Sequence, residues 1–469
     1  MPGAVRLRTA KLIVFTGIAI VCSASGLNPA LAQCEVAKLL AADGAAGDAF
    51  GFAVGVSADT ALIGAYGDNA SGDESGSAYI FHFDGTSWVE QQKLLASDGA
   101  ASDRFGYAVG VASDTALIGA YGDDANTGSA YVFRFDRSMW GEQAKLVASD
   151  GEPGDHFGVS VALSGDAVVL GAPFDGDNGP AAGAAYVFRY NGASWVEEQK
   201  LLASGGAPWD LLGVAVAISG DTAVIGAPWD EDNGWRSGSA YVFRFDGSTW
   251  VQQPKLLASD GAGGDCFGAA VALSGDTAVI GAPTDQHDGW PLGSAYIFRF
   301  DGWTWVEQAK LVAPDAEWGD EFGVRVAIEG DTAVIGLGRI DESGERWGGA
   351  YVFRYDGSSW PQVARVLASD GEGGDHFGRS VAIAGDTAVV GAYGDGDNGP
   401  DSGSACVFDL DPIPGDLDCD GCVDQADLGI LLADWQCTGG ECPGDCDGDG
   451  DTDQSDLGIL LAHWGQGCP

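Results

Sequence analysis

FGAAVALSGDTAVIGAP, residues 267–283, is a stretch that recurs with small changes seven times along a chain of 469 residues. Its Phe-Gly pair, or the equivalent, starts at Phe50, Phe105, Phe157, Leu212, Phe267, Phe322 and Phe377, in steps of 55, 52, 55, 55, 55 and 55 residues. Gly-Ala-Pro or Gly-Ala-Tyr follows fourteen residues after each start, except in the sixth copy, which has Gly336-Leu337-Gly338. A fixed period of this length means one supersecondary unit per repeat, stacked on its neighbours.

Each period holds four strand signals, in the fifth copy FGAAVAL, TAVIGAP, SAYIFRF and TWVEQAKLVA. They are short, rich in Val, Ile, Ala and aromatics, and separated by Gly, Asp, Ser and Asn. Gly275-Asp276 reads as a two-residue hairpin turn and Asp301-Gly302-Trp303 as a second tight turn. TAVIGA is apolar on both faces, as a strand sandwiched between sheets must be. The expectation is all-β, a seven-bladed β-propeller of four-stranded meanders; a linear solenoid is the alternative. The last copy runs out after its third strand, SACVFDLD at 404–411, and CEVAKLLAADG at 34–44 matches the missing fourth. The N-terminal strand would then close the last blade, an offset that a solenoid does not need.

The seven Phe-Gly and Gly-Ala-Pro copies resemble the FG-GAP repeat family, the unit of the integrin α propeller, over roughly residues 34–409. Family members that bind calcium in the blade carry an Asp-rich loop between the first two strands. Here that place holds only Ser-Gly-Asp, as at Ser219-Gly220-Asp221, so those calcium sites are not carried over.

Residues 1–32 read as a secretory signal: Arg6, Arg8 and Lys11, an apolar run at 12–21, then Ala30-Leu31-Ala32 before Gln33. The run is too short to span a bilayer comfortably, and an uncleaved anchor is the runner-up. The expected product is secreted or envelope-associated. The net charge of −47 argues against nucleic acid and anionic membrane as partners. In an up-down blade the short turns share one face, and the second-to-third and inter-blade loops share the other, where function belongs. Two acidic patterns recur there: Asp260 with Asp265 (or Asp370 with Asp375), and Asp230, Asp232 and Asn233 (or Asp395, Asp397 and Asn398). They either shape turns through backbone hydrogen bonds or hold cations.

One Trp per unit follows the third strand (Trp88, Trp140, Trp195, Trp250, Trp305, Trp360) and reads as packing. Six more, Trp209, Trp229, Trp235, Trp290, Trp318 and Trp347, fall on the long-loop side of blades four to six or their entry loops. Copies four and six also break the repeat there, at Leu211-Leu212-Gly213 and Gly336-Leu337-Gly338-Arg339. An array departs from its own rule where something besides the fold constrains it. This arc, with Arg236, Arg339 and Arg346, is the candidate surface for a sugar or protein ligand; covering long loops is the plain alternative. His156 and His376 share one repeat position and His82 lies in a strand, and no catalytic motif stands out. The expectation is a protein that is not an enzyme.

A linker at 411–414 leads to a tail at 415–469, after a propeller at 33–410. GDLDCDGCVDQADLGILLADW is followed 29 residues later by GDCDGDGDTDQSDLGILLAHW. Each opens with a twelve-residue calcium loop. The first offers Asp416, Asp418, Asp420, the Cys422 carbonyl, Asp424 and Asp427, with Gly421 at the turn; the second offers Asp445, Asp447, Asp449, Asp451, Asp453 and Asp456, with Gly450. Two Ca2+ ions are expected. A short helix follows each loop, with Leu428, Leu431, Leu432 and Trp435, or Leu457, Leu460, Leu461 and Trp464, assigned to one face. This duplicated loop–helix looks like a type I dockerin, which implies a cohesin-like partner. The positions that family uses for recognition hold Gln425-Ala426 and Gln454-Ser455, not the usual hydroxyl pair. The tail cysteines (419, 422, 437, 442, 446, 468) read as disulfides in an exported module, with a thiolate metal site as the alternative. Cys34 and Cys406 fall on neighbouring strands, which suggests a closing bridge, although the hairpin register opposes Cys34 to Asp409.

Together these readings describe an exported, non-catalytic binding or scaffold protein. Its long-loop face would bind a protein or carbohydrate, and its calcium-dependent tail would dock. The alternatives are a polysaccharide-active propeller enzyme and a structural envelope component.

Overall fold

The computed structural model describes residues 34–287, 289–338, 348–419, 422–438, 442, 444–446 and 451–467. The leader, Arg339, Arg346, Trp347, Asp420, Gly421, Asp447, Asp449, Gly450 and Cys468 lie outside them. Among the described residues no helix is long and apolar enough to cross a membrane.

Seven four-stranded antiparallel sheets form, each an up-down meander. In the fifth the strands are Ala270–Ser274, Thr277–Ala282, Ser294–Phe300 and Trp305–Leu311. Gly275 takes φ 55° in the first turn, where Ser274 pairs with Thr277. In the second turn the Asp301 carboxylate accepts the N–H groups of Trp303 and Thr304. First strands of successive sheets touch around the whole circle, the seventh meeting the first. The array is therefore a closed propeller. The N-terminal strand Cys34–Leu39 pairs with Ser404–Asp409 and completes the seventh blade.

The second strand is buried along its whole length because two blades share it. Ala278, Ile280 and Ala282 pack towards blade four with Val224 and Val242; Val279 faces blade six with Val326 and Ile328. That is the period-two alternation of a strand, with both faces dry. Phe267 packs edge-on against Tyr296 and Phe298, at 5.4 and 6.0 Å between centroids. The glycine of Gly-Ala-Pro has a separate reason: a Cβ at Gly281 would collide with the Gly323 carbonyl oxygen in the Phe-Gly of the next blade. The two halves of the repeat signature are thus one contact between neighbouring blades.

The tail folds around helices Gln425–Ala433 and Gln454–Ala462. Leu431 and Leu460 are fully buried beside Val423. Leu432 and Leu461 are instead 56% and 54% exposed, and Trp464 is exposed as well. A residue next to a buried one sits about 100° around the helix, so the expected single apolar face splits. The Cys34–Cys406 bridge does not form. Cys34 opposes Asp409, as the register dictates, and is bonded to Cys419, tying the seventh blade to the tail. Cys406 is a free buried thiol whose pKa burial pushes up.

Candidate binding surface and metal loops

The long-loop face carries one polar cluster per blade, built in the first five from the fourth-strand Lys and the third-strand Tyr; in the seventh Cys406 takes the place of the Tyr. Lys200 Nζ lies 2.9, 2.7 and 2.7 Å from Asp150, Asp175 and Asp177. The Tyr186 hydroxyl donates to Asp150 and Asp175, each at 2.8 Å. Lys38 bridges Asp370, Asp395 and Asp397 in the seventh blade, and Arg365 takes the lysine's place against Asp315 in the sixth. The second Asp of the entry loop serves the turn, as the Asp265 carboxylate does in accepting the Ala262 N–H at 2.6 Å. The recurring acids therefore hold a built-in ammonium or guanidinium.

Blade four departs from this pattern. Gly205 stands where other entry loops have the first Asp, and Lys255 keeps Asp230 and Asp232, each at 2.7 Å. An open pocket of about 630 Å³ results, lined by Trp209, Trp229, Trp235, Arg236 and the acids Asp210, Asp230, Glu231 and Asp232. The Arg236 guanidinium stacks on Trp229 and Trp235, at 3.7 and 4.5 Å from the ring centroids. Trp229 is half-buried beneath it and acts as a support, whereas Trp209 and Trp235 are 57% and 63% exposed. Trp290 and Trp318 are exposed at the next junction, where the Gly319 N–H donates to the Pro291 carbonyl at 3.1 Å.

Trp209 has a left-handed backbone, φ 74°. The same loop position in the other copies is Gly47, Gly154, Gly264, Gly319 and Gly374, with Ser102 as the other exception, all at positive φ. An L side chain there costs on the order of 1–2 kcal/mol, so a large aromatic at this place works against the fold.

Burial raises the Asp210 pKa, and burial alone would do the same to Asp230, but the hydrogen bond from Lys255 brings Asp230 below its ordinary value. Two carboxyls pushed apart resemble an acid–base pair. The same divergence recurs at Asp48 with Asp68 and at Asp375 with Asp395. It belongs to the blade and does not mark a catalytic pair.

In the tail, carboxylate oxygens of Asp416, Asp418 and Asp427 lie within 4.8 Å of one another, as do those of Asp451, Asp453 and Asp456. Asp427 and Asp456 hold the loops closed, accepting the N–H groups of Leu417 and Cys446 at 2.6 Å each. Asp424 and Asp453 cap the two helices, accepting from Ala426 and Ser455. Asp445 is not in the second group, and Asp420, Asp447 and Asp449 lie outside the described residues. Clustered hard oxygens suit a hard divalent cation such as Ca2+. Cys422 is disulfide-bonded, and Cys437 is bonded to Cys442, which rules out a thiolate site at Asp434, Cys437 and Cys442. Gln425, Ala426, Gln454 and Ser455 are all exposed on the first turns of the helices.

The lysine clusters were missed by sequence reasoning, although the signal was present: Lys recurs five residues after the unit Trp in copies one to five. So were the channel-lining side chains of the first strands, Phe52, Tyr107 and Arg325.

The FG-GAP repeat model matches seven segments: residues 34–81, 88–133, 140–188, 195–243, 250–298, 305–353 and 360–408. Each runs from a fourth strand through the first three strands of the next blade, the same offset that closes the ring. No curated protein matches the chain.

Proposed function

The chain belongs to the FG-GAP repeat family, and from that premise we propose that it is an exported, non-catalytic binding protein whose long-loop face holds a carbohydrate at blade four. The observation that carries this reading is Trp209, an exposed aromatic at a backbone position that the other copies mostly give to glycine. Flat apolar rings above acceptor carboxylates match the C–H faces and hydroxyls of a sugar. Four acids against Arg236 and Lys255 leave the pocket acidic, which favours an uncharged glycan over an acidic one.

The tail is read as a calcium-dependent docking module of the dockerin type, with a cohesin-like partner. Supporting this are the two oxygen clusters, the exposed residues at 425, 426, 454 and 455, and the exposed Leu432, Leu461 and Trp464. Disulfides at Cys34–Cys419 and Cys437–Cys442 fit an oxidising compartment outside the cytosol.

The test is Trp209→Gly, compared with wild type for retention on columns of immobilised neutral polysaccharides and for unfolding by urea. We expect glycan affinity to fall roughly thirtyfold, about 2 kcal/mol. Stability should rise by about 1 kcal/mol as the left-handed strain is relieved. Unchanged retention together with a loss of stability would make Trp209 a packing residue and sink the reading.

A further inference from the structure

We propose that the axial channel of the propeller is a second ligand site, one that takes a single-ring sugar acid and binds its carboxylate through Arg325. The channel is a cavity of about 280 Å³ walled by the first strands, with Val54, Val109 and Val326 among its lining and Phe52, Tyr107 and Arg325 at its polar and aromatic end. This volume suits one six-membered ring.

Arg325 is the anomaly. Its place in the repeat is Ala53, Ala108, Ala215 and Ala270 in four copies and Ser160 and Ser380 in two. The fold therefore asks for a small residue there. The guanidinium Nη1 donates at 2.8 Å to the carbonyl of its own neighbour, Val324. Among the described residues it has no carboxylate partner, in a protein with 69 acids and 22 bases. The nearby Arg379 is paired, with Glu321 at 3.3 Å. The Arg325 side chain is exposed to the channel, so its charge is open to a ligand carboxylate.

The wall facing it supplies the rest of a sugar site. Phe52 packs at 4.8 Å from Tyr107, 4.6 Å from Tyr66 and 5.4 Å from Tyr393. The Tyr107 hydroxyl has no protein hydrogen bond among the described residues, which leaves it for a ligand hydroxyl. A bare inorganic anion would use none of this apolar and aromatic wall. The site is independent of the blade-four pocket, which is acidic.

The experiment is calorimetric titration of the full mature chain, residues 33–469, with galacturonate and with galactose at low ionic strength. Wild type, Arg325→Ala and Trp209→Gly are compared. We expect galacturonate to bind through Arg325, and any binding of neutral galactose to be unchanged in Arg325→Ala. Arg325→Ala should lose at least about tenfold in affinity, and Trp209→Gly should bind galacturonate as wild type does. Arg325→Ala restores the residue of four sister copies, so its unfolding midpoint should not fall. No galacturonate binding, equal binding by Arg325→Ala, or loss through Trp209→Gly would each overturn the proposal.

Discussion

Gly281→Ala is expected to lower the stability of the mature chain by about 3 kcal/mol or more, read from the shift of the urea midpoint. Gly281 has an ordinary backbone conformation, so no conformational penalty opposes alanine there. By intrinsic preference the substitution should help a strand. What it meets is the Gly323 carbonyl oxygen, which belongs to the backbone and cannot rotate aside. One of the blades must move, and that opens the seam holding Val279 against Val326 and Ile328. The same collision waits at Gly64 with Gly106, Gly226 with Gly268 and Gly391 with Gly51, so one substitution samples a contact repeated around the ring. Gly176→Ala is the control: nothing lies within 4 Å of its added Cβ, and its midpoint should hardly shift. A neutral Gly281→Ala would mean that the blades are not locked by the Phe-Gly and Gly-Ala-Pro contact.

Lys200→Met should cost about 3 kcal/mol at neutral pH, because it leaves Asp175, which is 4% exposed, beside Asp150 and Asp177 with no cation. Most of the loss comes from stranding the buried carboxylate; the half-exposed partners are screened by water and add little. The pH dependence has a definite sign. Burial alone would lower the Lys200 pKa, but its bonds to the three acids raise it well above the ordinary 10.5. Its contribution is whole below 10.5 and is lost only as pH climbs through the raised value. Burial alone would raise Asp150, but Lys200 and Tyr186 bring it below 3.8, so its contribution is whole above 3.8 and is lost as pH falls through the lowered value. The gap between wild type and Lys200→Met should therefore be widest between about pH 4 and pH 10 and narrow in stronger acid. A gap independent of pH would show that the side chain acts through packing alone.

The propeller was legible because its information is local and repeated. The 55-residue step, the Gly275 turn and the strand left over at 34–39 give the topology and its closure without any long-range reasoning. The Lys–Asp–Tyr clusters were less legible because each joins two loops and two strands that only the fold brings together, although the recurrence of Lys at one register was visible. The Cys34–Cys419 bond was not legible at all: no periodicity connects a blade strand to the tail. In the candidate site, the excess Trp of blades four to six pointed to the arc in which the blade-four pocket lies. The division of labour within it came from geometry: the glycine column that Trp209 interrupts can be read in the repeat, but only the backbone reveals that the position is left-handed and that Trp229 is a support under Arg236. Arg325 could have been found as a departure from a column of Ala and Ser, but a single deviant residue in a strand carries little weight until the column is known to line a channel.

The account rests on a division between a ligand-binding propeller and a calcium-dependent docking tail. The most direct measurement is capture from the source cell's envelope and medium, with baits of residues 33–469 and 33–412, each in Ca2+ and in chelator. The account predicts a protein partner held only by the longer bait and only with Ca2+, while neutral polysaccharide is held by both baits in either condition. A protein partner held equally by both baits, or held by the longer bait in chelator as well as in Ca2+, would contradict it.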